Sequence, residues 1–304
     1  ADDLQVFPGL PVQTFPVWES PDEVTDATDE ILAQRLRLSL WLSQQQQKEN
    51  PEPFLISTCV QALNQPVTRP QLLTEQGLSL AVNQAMEPEL LTGWLTDHGF
   101  ERVDSVDVPG QYAHRGGIVD IFAPVCTATS AEQGVSSVSE SRPVRIEFFG
   151  DEIESIRRID LDTQLSSDTL TAVQITAPQT TVDPEGTELL LNLLPSETLI
   201  ILEEPTEIAE VSEVFLSRLD DIRGMYSWKA VYRAMQKFTC LQISRFAQTA
   251  QSDFQLEVTS AQQFEHKAGA IWKEQEAVLA DLVNEANTRK ILFYCENQAE
   301  IQRI

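Results

Sequence analysis

Two stretches decide how this chain is read: Gly110-Gln111-Tyr112-Ala113-His114-Arg115-Gly116-Gly117-Ile118-Val119-Asp120-Ile121-Phe122, and Val144-Arg145-Ile146-Glu147-Phe148-Phe149-Gly150-Asp151-Glu152-Ile153-Glu154-Ser155-Ile156-Arg157-Arg158. The first reads as a strand. The second reads as a β-hairpin, because Gly150-Asp151 sits between two runs of alternating side chains. If Phe149 faces Glu152 across that turn, then Arg145, Glu147, Phe149, Glu152, Glu154 and Ile156 share one face. Ile146, Phe148 and Ile153 share the other, which is expected to be core. The first face carries an arginine, several carboxylates and a large aromatic, a mixture suited to protein docking more than to a catalytic pocket.

Working outward, strand Leu78–Val82, helix Pro88–His98 and strand Arg102–Val106 lead into the first stretch. Pro88 suits a first helical turn, and Gly99 suits a left-handed cap. Together with the hairpin they make a small α+β module over residues 66–178, bounded by Pro66, Pro70 and Pro178. Within it Ala123–Pro143 is rich in Ser, Thr and Glu and reads as a long mobile loop.

On either side the pattern is α/β. Residues 1–65 hold a strand near Val12–Phe15, a helix over Asp29–Gln45 and a buried strand Phe54–Thr58, with Ser57 or Thr58 able to cap the next helix. Residues 179–252 hold a helix Thr187–Leu194, an apolar strand Thr198–Leu202, helices to Leu219 and over Trp228–Gln236, and a strand Thr239–Ile243. Residues 253–304 read as a linker with strand Phe254–Val258, then helix Ala268–Asn287 and strand Lys290–Cys295 opening a further α/β unit. The chain starts without Met and closes on Ile304 within a helical pattern, so it is read as a segment of a longer protein, truncated at its N-terminus.

The 304 residues allow more than one core. With 21 basic against 47 acidic residues the net charge is −26. No basic stripe for duplex binding is visible, so this segment is expected not to bind DNA itself. Cys59, Cys126, Cys240 and Cys295 have no metal-ligand spacing and are expected as buried free thiols in a reducing compartment. No apolar run approaches the roughly 18–20 residues that cross a membrane, and no signal peptide opens the chain. A cytoplasmic protein is expected.

The catalytic candidates are weak. No glycine opens a GxxxxGK[ST] loop, which argues against nucleotide hydrolysis by this segment. The strand before Glu203-Glu204 resembles a Walker B strand, but a Glu pair placed favourably at a helix N-terminus is the preferred reading. His98, His114 and His266 lack nucleophile partners. Asp120, Glu147 and Glu154 are expected to pair with Arg115, Arg145 and Arg158 rather than act as a hydrolytic pair. What remains is Arg115, Arg145 and Phe149, the ingredients of a binding hot spot or of a surface ion-pair network.

The run Tyr112-x-x-Arg115-Gly116-x-Ile118-Val119-Asp120-Ile121-Phe122, then Arg145 through Arg157, then Asp160-x-x-Thr163-Gln164-x-Ser166, resembles the domain shared by bacterial transcription-repair coupling factors and the excision-repair protein UvrB. The absence of a Tyr-rich hairpin between Phe15-Pro16-Val17-Trp18-Glu19-Ser20 and the Asp29-Glu30-Ile31-x-x-Gln34-Arg35-Leu36 helix favours the N-terminal region of the coupling factors, as does Pro205-Thr206 with no His after Glu203-Glu204. The resemblance implies an α/β fold. That fold is a split helicase-like, P-loop NTPase-like but degenerate parallel-sheet domain with the small α+β domain inserted. It also implies docking of UvrA through Arg115, Arg145 and Phe149, recruitment of UvrA to stalled RNA polymerase, and masking of the docking face by C-terminal domains of the same protein. RNA polymerase and DNA would be met by other domains, and ATP and Mg would serve only downstream motor domains. This segment is expected to be non-catalytic and without a cofactor. The alternative is a UvrB-type ATP-dependent damage-verification protein whose P-loop lies upstream.

Overall fold

The computed structural model describes residues 10–18, 30–48, 53–130, 137–138, 142–177 and 186–244. The elements read at Phe254–Val258, Ala268–Asn287 and Lys290–Cys295, with His266, lie outside the described residues. The rest is mixed α/β with two main hydrophobic cores.

The first core belongs to the α/β part. β1 (Val12–Phe15) pairs in parallel with β2 (Leu55–Thr58), joined through helix α1 (Glu30–Gln47). Phe15, Leu38 and Leu42 are buried in this core. A short helix α2 (Val60–Asn64) follows, and Thr58 does not cap it: its hydroxyl donates to the Phe15 carbonyl at 2.9 Å instead. The chain then runs through β3 (Val67–Thr68) and α3 (Pro70–Glu75) into the second part.

That part is a curled, mostly antiparallel sheet. Its strands are β4 (Leu78–Ala81), β5 (Glu101–Arg102), β6 (Gln111–Arg115), β7 (Ile118–Phe122), β8 (Val125–Ser130), β9 (Ser137–Val138), β10 (Val144–Phe149), β11 (Glu152–Ile159) and β12 (Ser166–Thr176), with helix α4 (Pro88–Asp97) after β4. The order is β5-β6-β7-β10-β11-β12-β8-β9, and β4 adds to β12. Leu91 and Leu95 of α4 close the core over Ile121, Ile146, Ile153 and Ile156, all fully buried. Gly99 ends the helix at φ 82°, the left-handed cap its sequence predicts.

Three expectations change here. Residues 110–122 are two strands, because Gly116-Gly117 makes a two-residue turn with Gly116 at φ +61°. The strand expected over Arg102–Val106 is only Glu101–Arg102, and the chain beyond it loops back over the sheet. The start of the Ala123–Pro143 stretch, Val125–Ser130, is β8, paired along β12, with Val125, Cys126 and Ala128 buried. Small residues make this strand polar in composition yet still able to fill a core.

The chain returns to the first part through β13 (Thr187–Glu188), which pairs antiparallel with β3, and a 3₁₀ turn at Leu190–Leu193 where a regular helix is expected. β14 (Leu199–Glu203), α5 (Pro205–Ser217), α6 (Trp228–Met235) and β15 (Thr239–Ile243) complete the described chain, with β14 and β15 parallel. β14 is not buried throughout: Leu199 and Ile201 are exposed on one face while Leu202 is core.

Among the described thiols Cys126 is buried while Cys59 and Cys240 are exposed, contrary to the expectation; Cys295 lies outside the described residues. Burial pushes the Cys126 thiol up to about 12. Cys126 is therefore expected to resist iodoacetamide at pH 8 in the folded chain while Cys59 and Cys240 react, because the thiolate is the nucleophile. Peptide mapping after alkylation, with and without urea, checks this. Among the described residues no helix is long and apolar enough to cross a membrane.

Candidate functional site

The face of the curled sheet opposite its main core is closed at one end by a small cluster of Val103, Val106, Ala113, Phe122 and Ile159. Beyond it the face opens. Strand registers set Ala113, Asp120, Arg145, Arg157 and Thr169 side by side in one row. Arg115, Ile118, Glu147 and Ser155 form the next. Phe149 and Glu152 face each other at the turn, as the sequence predicts.

The hairpin tips are held close by glycine. The Phe148 N–H donates to the Gly117 carbonyl at 2.8 Å. A Cβ on Gly117 would lie 3.1 Å from the Phe148 carbonyl oxygen, so a larger residue would press on β10. Gly150 turns the second hairpin at φ +61°.

Arg145 is anchored. Its Nε and Nη2 donate to the two carboxylate oxygens of Asp120 at 2.7 and 2.8 Å, and Nη1 reaches Ser166 Oγ at 3.4 Å. Asp120 is only 3% exposed, so this bidentate pair sits at the floor of the face. The Asp120 hydrogen bond pushes the Arg145 pKa up, keeping it charged. Arg115 is exposed at the rim, its Nε donating to the Asp104 carbonyl at 3.2 Å and its Nη2 to the same oxygen. Glu147 accepts from Ser155 Oγ at 2.5 Å and lies 3.9 Å from Arg157. Phe149 stands 79% exposed. Arg115, Arg145 and Phe149 therefore share one face, two fixed by hydrogen bonds and one presenting its ring to solvent.

One feature of this face escapes a count of alternating positions. Between the Glu147–Ser155 and Phe148–Ile153 pairs the register shifts, so Glu154 is the extra residue of a β-bulge. Ile156 then pairs with Ile146 in the core rather than joining the polar face, and Arg157 comes out opposite Arg145. No glycine marks the bulge. The available signal is the isoleucine itself, misplaced on a polar face by strict alternation.

Glu203 and Glu204 belong to the other core's sheet. Glu203 is exposed at the end of β14, and Glu204 precedes α5 at φ 52° with its N–H donating to the Ile243 carbonyl at 2.8 Å. Glu204 makes no side-chain cap. Among the described residues no group of His, Cys, Asp or Glu could hold a metal ion. His98 stacks on Trp94 and bonds its carbonyl, while His114 bonds the Gly116 carbonyl.

Residues 78–180, the whole curled sheet, match the family model described as the UvrB interaction domain. The chain is also similar to the N-terminal region of transcription-repair-coupling factors. The protein of that name from Bacillus subtilis (strain 168) is 31% identical over 176 residues, 57% of this chain and 13% of its own length. That of Mycobacterium tuberculosis (strain CDC 1551 / Oshkosh) is 32% identical over 173 residues, 55% of this chain and 13% of its own. That of Haemophilus influenzae (strain ATCC 51907 / DSM 11121 / KW20 / Rd) is 28% identical over 222 residues, 72% and 17%. The chain thus spans less than a fifth of the length of these relatives.

Proposed function

We propose that this chain is the UvrA-docking segment of a transcription-repair coupling factor and recruits UvrA to stalled RNA polymerase. The observation that carries this reading is the co-facial placement of Arg115, Arg145 and Phe149 within the matched domain. An exposed aromatic beside fixed guanidinium groups is the composition of a protein-docking centre, and the chain's role is recognition rather than catalysis. The parallel pairs β1–β2, linked through α1, and β14–β15, linked through α5 and α6, support a degenerate helicase-like domain split around the sheet module. Residues 1–65 and 179–252 are its halves and 66–178 the insertion. Polymerase and DNA contacts, and ATP with Mg, belong to other parts of the longer protein, whose C-terminal domains mask the docking face until UvrA is needed.

The cleanest test is Phe149→Ala. Because this ring is 79% exposed, its loss leaves the fold intact. Its removal is expected to weaken UvrA binding by about 2 kcal/mol, roughly thirtyfold, in calorimetry. Unchanged affinity would remove the docking assignment.

A further inference from the structure

The bulge at Glu154 has a consequence for recognition. It turns Arg157 onto the same face as Arg145, and as direct cross-strand partners their side chains stand next to each other. Like charges directly opposite are unfavourable, and they stand here in a chain of net charge −26. The two arginines are not equivalent. Asp120 occupies the Nε–Nη2 edge of Arg145, leaving that side chain 17% exposed. Arg157 keeps a side chain 44% exposed, and the nearest Glu147 oxygen is 3.9 Å from its Nη2, beyond hydrogen-bonding distance.

We infer that Arg157 is a further docking residue, which with Arg145 receives a carboxylate of the partner. A carboxylate set over this row would relieve the repulsion between the two guanidinium groups and take up Arg157's donors in a geometry arginine favours. Arg157 thereby selects for an acidic side chain at one place on the partner, two rows along the face from the niche that takes Phe149. The inference rests on the docking reading above.

The test compares Arg157→Ala, Arg157→Glu and Arg157→Lys for binding to purified UvrA, with Phe149→Ala reporting the docking face independently and Arg223→Ala, at the exposed Asp221 pair, as the remote control. Arg157→Ala is expected to weaken binding about tenfold and Arg157→Glu about a hundredfold. Arg157→Lys falls between the parent and Arg157→Ala, and Arg223→Ala matches the parent. The affinity of Arg157→Ala should also depend less steeply on salt. Its melting temperature should equal or exceed the parent's, since a like-charge neighbour is removed; a purely structural arginine would lower it. If Phe149→Ala weakens binding while Arg157→Ala and Arg157→Glu stay within about twofold of the parent, Arg157 is no contact and the docking reading survives. If UvrA does not bind, or Phe149→Ala binds as the parent does, both fall.

Discussion

Arg145→Ala is expected to destabilise the curled sheet by about 3 kcal/mol. The cause is the carboxylate left behind. Asp120 is 3% exposed, and both of its oxygens accept from Arg145. Truncating the arginine leaves a buried anion without its counter-charge, the costly way to break such a pair. The double variant Asp120→Ala/Arg145→Ala should therefore be less destabilised than the sum of the single variants by at least about 1.5 kcal/mol. Urea titrations of the three variants measure this. Additive losses would show that the pair is not coupled. The result also governs how binding data are read: weaker docking by Arg145→Ala contains a stability component that Phe149→Ala lacks.

The second large effect is expected at Arg35→Ala. Arg35 lies on α1 at 4% exposure. Its Nη1 donates to the Pro16 carbonyl at 2.7 Å and Nη2 to the Pro66 carbonyl at 3.1 Å, with the guanidinium carbon 4.2 Å above the Phe15 ring centre. One side chain thus joins β1, α1 and the approach to β3. Its removal takes away two charge-assisted hydrogen bonds, a cation–π contact and the packing of a long stem, together worth about 3–4 kcal/mol. Arg35→Lys should recover less than half, because an ammonium cannot span both carbonyls with a planar fork. Hydrogen exchange locates the effect: amides around Leu38 and Leu42 should lose protection while those of β10 and β11 keep theirs. Uniform loss across both would show that the two cores unfold as one unit.

Much of the polar face that carries Arg145 and Phe149 is legible in sequence because it is local. The Gly150-Asp151 turn between alternating runs predicts the Phe149–Glu152 pairing, and an arginine two positions before Glu147 must share its face. The bulge is not legible, since Glu154-Ser155 offers no residue that demands an irregular backbone, and so strict alternation puts Ile156 on the polar face, where Arg157 stands instead. Gly116-Gly117 does carry a turn signal, yet the thirteen residues around it also read as one continuous strand. β8 is hidden for the opposite reason: Thr127, Ala128 and Thr129 look like loop until a neighbouring strand gives them a register. Burial of Arg35 depends on carbonyls supplied by two other segments, Pro16 and Pro66. No pattern within one helix contains that information.

The neck between the two parts bears on how the chain folds. β3 and β13 pair as Thr68 with Thr187, and the Arg69 N–H donates to the Gly186 carbonyl at 3.0 Å. The first core needs residues from both sides of this neck, Leu63 and Val67 before it and Leu190 and Leu202 after it. Were the intervening chain a flexible loop, bringing its ends together would cost about 4 kcal/mol of closure entropy. Pairing of β4 at the start of the folded sheet with β12 at its end, Leu78 opposite Ile175, holds those ends side by side. The folded sheet module thus acts as a clamp that holds the two halves of the flanking core together.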